Sequence, residues 1–585
     1  MKKEDSLNQS KKTRNFWLCA GLLALLFASI LARDINRPFY GLHSWDQAAA
    51  AWRARCYLKY PLSYTKGMAV WSVGDPPNEN PNRSFDHPQL GLFLPAIELL
   101  IFGINERAIR IGVIIRTLLT LLIFLKILKA FIDKKTAILA GLFFAVFPVI
   151  GYFGVRGWVI PVSLLATWYY LLASGSLDEP YKTKPYHKWI LAILLFLILQ
   201  LSWEGFCYAL AIGVHYVFRC LHRKKWPDIP LLVILIAAPL SSLALDFIIM
   251  AAGHGWHWER IWSLYQWRGS KGEIPNLTWE MWFGRFQKHA RTNFGIPVLI
   301  TACAYLTLGQ LLVRLKHKKT KKQTKLSEPS RRFPQFWLFT MPAIFQLLIF
   351  RGALWPHQYW ELPLVPTLAI ATALAVMLLI DLLSKLNRWF AYGAGLAVVA
   401  VCLVFCIKGL DHYFYIRWQP IEKINMFKKL NSQIPPDKKL LSFESFIVDQ
   451  HEVKGPHYRP EVAWYLDRQI DVAKNLQQVI EKAQTGQYPY YLAPQQPPPS
   501  KKSKQLMMMM KSPNLDLYQK KRIEQEYKKS RWEDFSKWKN FIDQLRSRYN
   551  YELVDGSNTE IDDNGTVLRA GMYAYAIFDL KNPKQ

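Results

Sequence analysis

Apolar and polar positions in this chain segregate into long blocks rather than alternating residue by residue. Up to about residue 408, uncharged runs such as Trp17 to Ala32, Leu231 to Leu245 and Trp389 to Ile407 are separated by short polar stretches. Runs of roughly 20 apolar residues are what a helix needs to cross the hydrocarbon core of a bilayer. The pattern predicts about eleven crossings, near 16–32, 108–128, 136–153, 158–174, 188–202, 205–219, 229–251, 296–314, 335–350, 361–380 and 389–407. The stretch 88–103 is also apolar but short, and it carries Glu98, so it is placed flat in the interface.

Beyond residue 408 the pattern changes. Lys438 to Phe443, Tyr488 to Leu492 and Met572 to Leu580 read as strands, and Val462 to Thr485 and Lys520 to Tyr549 as largely helical. Pro494 to Lys504 and the run Met507 to Met510 read as loop. The expected architecture is therefore an α-helical polytopic membrane domain, 1–407, followed by a soluble α/β domain, 408–585.

Composition sharpens this picture through the placement of charge. The formal net charge of +31 over 585 residues would suit a nucleic-acid binder if it formed one patch. Instead Lys and Arg fall in short clusters between apolar runs, as at Lys182 to Lys188, Arg219 to Lys225 and Lys316 to Arg332. That is the positive-inside pattern of a multi-pass protein, and no nucleic-acid partner is expected. With the N-terminus cytoplasmic and the first apolar run kept as an anchor helix, every basic cluster lands inside. Loop 33–106, an aromatic loop 253–295 and the C-terminal domain then face the extracytoplasmic side of the cell membrane. Most of the seven cysteines lie in apolar runs and only Cys56 is expected outside, so no disulfide framework is expected.

The most informative outer segment is HSWDQAAAAWRARCYL, residues 43–58. Ser44 followed by Gln47 is a capping-box spacing, which starts a helix and puts Asp46 in its first turn. Unpaired backbone N–H groups and the helix dipole there favour an ionised carboxylate, suited to act as a general base. A plain surface-capping role uses the same position. Trp45, Ala49, Trp52 and Cys56 share one face at helical spacing.

Three blocks in order, this one, DHPQLGLFLPAIELLIFGINERAIRIGVII at 86–115 and HQYWELPLVP at 357–366, together resemble glycosyltransferase family 39. That family includes the dolichyl-phosphate-mannose protein mannosyltransferases and the bacterial aminoarabinose transferases, and has the GT-C fold. The resemblance implies transfer of a sugar from a polyprenyl-phosphate carrier to a glycolipid, polysaccharide or protein acceptor outside the membrane, with Asp46 as base. The chain departs from the family pattern at Gln47, where a second acid is usual, and at Gln89, where the second proline of a His-Pro-Pro block is usual. It has no evident carboxylate in GWVIPVS, residues 157–163.

Such a reaction needs positive charge or hydrogen-bond donors at the leaving phosphate. Candidates on the expected outer side are His87, Arg156, Arg351 and His357. Arg156 and Arg351 stand where helices emerge, a position from which arginines also snorkel to headgroups. Glu204, at an outer turn between two helices, is a further candidate for substrate binding. Asp86 beside His87 is a candidate for a divalent metal or for a simple loop hydrogen bond. His254, His257 and Glu259 fit no standard zinc spacing. The rival classes are a transporter or flippase, disfavoured because the polar groups gather at one face with Asp246 a lone deep exception, and a non-catalytic membrane scaffold.

Overall fold

The computed structural model describes residues 2–584 apart from 80, 85–86, 178–180, 225, 257, 267–268, 270–276, 310–332, 356, 417–420, 444–458, 495–498, 511–515, 555–559, 562–566 and 569–574. The chain divides into two compact units. One comprises residues 1–37, 61–69 and 84–415, the other 38–60, 70–83 and 416–585. Two stretches of the first long loop thus belong to the same unit as the tail.

The first unit is helical, and the expected crossings fall on helices as far as they lie within the described residues; 310–314, the end of the crossing expected at 296–314, lies outside them. Among the described residues five helices are long and apolar enough to span a membrane: Arg14–Leu31, Glu106–Phe131, Ile229–Gly253, Leu364–Leu383 and Arg388–Tyr415. Trp279–Phe294 and Ile296–Gly309, bent by 103°, make a sixth if counted together. The chain is a multi-pass membrane protein. Several other apolar runs form shorter helices, and local chemistry explains the breaks. Asp133 caps Lys134–Val146 by accepting from the N–H groups of Lys135 and Thr136 at 3.1 and 3.0 Å. That helix stops at Phe147, because Pro148 has no N–H to continue the ladder, and a second helix, Pro148–Phe153, restarts at once. Asn105 caps the N-terminal end of Glu106–Phe131 by accepting from Ala108 N–H at 2.9 Å. Phe27, Phe124 and Phe144, all fully buried, pack edge-on or tilted between helices in the interior of this unit.

The second unit carries a five-stranded mixed sheet in the order Ile470–Val472, Leu440–Ser442, Tyr490–Pro494, Tyr575–Pro583, Tyr549–Val554. Leu440–Ser442 runs parallel to both neighbours, and the remaining pairs are antiparallel. Trp538, Phe541, Ile542 and Leu545 of the long helix Leu517–Arg548 cover Leu441, Tyr491 and Phe578 on one face of the sheet. Two readings of the tail need correction. Val462 to Thr485 is not continuously helical: Asp467, left-handed at φ 46, ends the helix Pro460–Leu466, and Ile470–Val472 pairs as a strand. The methionine run is the end of a helix, Lys501–Met510, rather than a loop, in keeping with the good helix propensity of Lys, Gln, Leu and Met.

Candidate active site

Asp46 lies in the first turn of Ser44–Lys59, as its sequence position suggests, but the capping box does not form. Ser44 is already helical, because a tight turn with Ser44 N–H donating to Gly41 O at 3.0 Å starts the helix early. His43 takes the cap position at φ 52, and its side chain makes no cap hydrogen bond. The helix is anchored from within its own unit. Arg55 donates to the carbonyls of Trp464 and Ala463, both at 2.7 Å, and Lys59 reaches Asp467 at 2.8 Å. Trp52 donates through Nε1 to Ser72 O at 2.6 Å. Burial pushes the Cys56 thiol up to about 12, against the lowering effect of Arg55, so it is not a reactive thiolate.

In the helical unit the structure brings two of the sequence candidates to one ring. Arg156 places its guanidinium carbon 3.6 Å from the centroid of Tyr359, and His357 stacks on the same ring at 5.1 Å and 16°. Phe153 meets Tyr359 edge-on at 5.6 Å. The loop holding Arg156 leaves the helix Pro148–Phe153 through Gly154, whose φ of 60 suits glycine. Tyr359 lies in a 3₁₀ turn, Gln358–Glu361, that precedes the spanning helix Leu364–Leu383.

Two buried polar networks support these segments, and sequence reasoning selected none of their members. In one, Glu98 and Arg116 form an ion pair with side chains 8% and 3% exposed, and Trp158 donates to Glu98 Oε1 at 3.1 Å. Arg116 Nε donates to Val155 O at 3.2 Å while Val155 N–H donates to Thr117 Oγ at 2.7 Å, so the loop carrying Arg156 is tied down at Val155 before it and, through the Trp158 bond to Glu98, at Trp158 after it. In the other, Asn293 donates to Glu361 Oε2 at 2.8 Å and to Gln358 O at 3.0 Å, and the Tyr413 hydroxyl donates to Asn293 Oδ1. Burial pushes the Glu361 carboxyl well above the usual carboxylate range. The available signal was an acid inside an apolar run, as at Glu98 and Glu361.

The remaining candidates lie on other elements. His87 precedes the helix Gln89–Phe102, and its carbonyl accepts from Gln89 Nε2 at 2.9 Å. The same amide donates to Ser84 O at 2.8 Å and accepts from Ala69 N–H at 2.9 Å. The glutamine that stands where the resembling family usually has a proline is therefore a loop clamp. Arg351 starts a short helix and lies over Trp279 at 4.6 Å. Glu204 occupies the N-cap position of Gly205–Arg223, with its N–H donating to Ser202 Oγ at 3.3 Å. Asp86 and His257 lie outside the described residues, and among those described no group of three or more His, Cys, Asp or Glu side chains is placed to hold a metal ion.

Neither a protein-family model nor a curated protein sequence matches the chain. Solved structures do match. ArnT from Cupriavidus metallidurans bound to undecaprenyl phosphate superposes with a TM-score of 0.52 at 12% identity, over 82% of this chain and 93% of that one. The apo state of the same protein gives 0.52 at 11% identity, over 97% and 98%. The Archaeoglobus fulgidus oligosaccharyltransferase tethered to an acceptor peptide gives 0.50 at 12% identity, over 82% and 69%. At these identities the likeness is one of fold, and the chain has the GT-C fold of those membrane glycosyltransferases.

Proposed function

We propose that this protein is a membrane glycosyltransferase that moves a sugar from a polyprenyl-phosphate carrier to an acceptor on the extracytoplasmic side. The observation that carries the reading is the meeting of Arg156 and His357, some two hundred residues apart in sequence, at Tyr359, in a chain with the fold of a protein solved with undecaprenyl phosphate. In the reaction an acceptor hydroxyl oxygen attacks the anomeric carbon and the bond from that carbon to the phosphate oxygen breaks. The bonding electrons leave with the polyprenyl phosphate, and the hydroxyl proton passes to Asp46. Arg156 and His357 offset the charge that gathers on the phosphate, most effectively away from bulk water. His87, Arg351 and Glu204 serve donor or acceptor binding.

The test supplies polyprenyl-phosphate sugars to the reconstituted protein and follows transfer to lipid, glycan and peptide acceptors. Loss of a general base costs on the order of 10²–10⁴ in rate, so Asp46→Asn should lower kcat by that factor with little change in donor binding. Undiminished turnover by Asp46→Asn would remove the aspartate from the mechanism. No transfer by the wild-type protein from any carrier would remove the reaction itself.

A further inference from the structure

We infer that Glu361, together with Asn293 and Tyr413, is the positioning clamp that preforms the seat for the carrier's phosphate; this rests on the polyprenyl-phosphate reading above. One amide does the joining. Asn293 Nδ2 donates both to Glu361 Oε2 at 2.8 Å and to Gln358 O at 3.0 Å, so both ends of the 3₁₀ turn Gln358–Glu361 are fixed to the helix Trp279–Phe294. The Tyr413 hydroxyl, from the last spanning helix Arg388–Tyr415, donates to Asn293 Oδ1 and thereby sets which way that amide faces. Tyr359, the ring against which Arg156 and His357 lie, is in the middle of the clamped turn. Tyr413 also packs against Phe153, which in turn meets Tyr359, so the clamp and the ring share a wall.

Packing alone does not call for a carboxyl here. Glu361 and Asn293 are both fully buried, and the neighbouring positions Leu362 and Leu364 are apolar. A buried acid carries a desolvation cost that an apolar side chain avoids. What the acid supplies is an acceptor at a fixed point. Oε2 receives the asparagine N–H, and burial favours the neutral form of the carboxyl. The group therefore works as a neutral hydrogen-bonding acid, and a neutral amide of the same shape should replace it.

That substitution gives the test. Binding of undecaprenyl phosphate to the full-length protein in detergent is measured for wild type, Glu361→Gln, Glu361→Leu and Asn293→Ser, with thermal unfolding of each. The expected result is a Kd within about twofold of wild type for Glu361→Gln and roughly tenfold weaker for Glu361→Leu, the size expected for one lost buried hydrogen bond. Asn293→Ser should weaken binding as Glu361→Leu does, and it tests the same clamp from the helix side if Glu361→Leu fails to fold. Wild-type affinity in folded Glu361→Leu and Asn293→Ser overturns the clamp alone. So does a Glu361→Gln variant as impaired as Glu361→Leu, because ionisation would then be what matters. Failure of the wild-type protein to bind undecaprenyl phosphate overturns the underlying reading and the clamp with it.

Discussion

Gly112 lies in the helix Glu106–Phe131 directly beneath the carboxylate of Glu98, one turn before the arginine that the carboxylate pairs with. A methyl group on Gly112 would sit 2.6 Å from Glu98 Oε1 and closer still to Cδ and Oε2, whereas ordinary contact begins at 3.4 Å. The carboxylate would have to retreat by more than half an ångström and would lose its place against Arg116, leaving a guanidinium side chain only 3% exposed without its charge partner. Breaking a buried pair in this way costs about 3–5 kcal/mol, and the better helix propensity of alanine returns only about 1 kcal/mol. Gly112→Ala is therefore expected to destabilise the helical unit by about 2–4 kcal/mol. Scanning fluorimetry of the detergent-solubilised protein reads the change. Gly213→Ala is the control, since an added methyl there meets nothing within 4 Å inside the helix Gly205–Arg223 and should be neutral or stabilising. Glu98→Ala clears the space, so Gly112→Ala should cost little more in that background, a strong departure from additivity. Gly112→Ala melting at or above wild type, or adding its full cost to Glu98→Ala, would refute the reasoning.

Two further perturbations separate side-chain from backbone effects. Gln89→Pro restores the proline usual in the resembling family, and because residue 89 is the first of its helix a proline ring is tolerated there. The three hydrogen bonds of the Gln89 amide are lost, so thermal unfolding should show a destabilisation of about 1–3 kcal/mol. In the tail, Asp534 accepts from Ser500 N–H at 3.0 Å and from the Ser503 hydroxyl at 2.8 Å, which holds the start of the helix Lys501–Met510. Burial works to raise its carboxyl, but the Ser500 N–H, the serine hydroxyls and Arg531 outweigh it and hold the group below the usual carboxylate range. A depressed acid contributes its stability above its unfolded pKa and loses it as pH falls through the folded value. Hydrogen-exchange protection over 501–510, taken relative to the intrinsic rate at each pH, should therefore persist at neutral pH, be lost only under acid conditions below that range, and be absent at neutral pH in Asp534→Ala. Equal exchange in the two proteins at neutral pH would dismiss the link.

Helix positions in the membrane domain were legible because apolar runs form helices there, although among the described residues only five of those helices, or six with the bent pair, are long and apolar enough to cross a bilayer. The breaks were less legible, since Pro148 interrupts a run whose hydropathy continues across it. In the tail, strands bounded by turn residues were found at Leu440–Ser442, Tyr490–Pro494 and Tyr575–Pro583, while Ile470–Val472 was hidden between the helices Pro460–Leu466 and Leu476–Gln484, whose pattern made the whole stretch 462–485 read as helical. Ser44 misled for a related reason. The capping-box spacing is local, and the turn through Gly41 and His43 had already moved the helix start.

The candidate site divides along the same line. Arg156 and His357 could be chosen because charged groups at helix ends stand out against apolar sequence, but nothing local said that both would meet Tyr359. Glu98, Arg116, Asn293 and Glu361 were harder, because each acts through a partner at least eighteen residues away. Their common feature is a polar side chain that an apolar run would ordinarily exclude, and in this chain such residues fix the segments that carry the reactive candidates. Gln89 makes the point most sharply: what reads as a departure from the family's proline is, in space, three hydrogen bonds holding the turn that ends at His87. A departure of this kind changes how a loop is held.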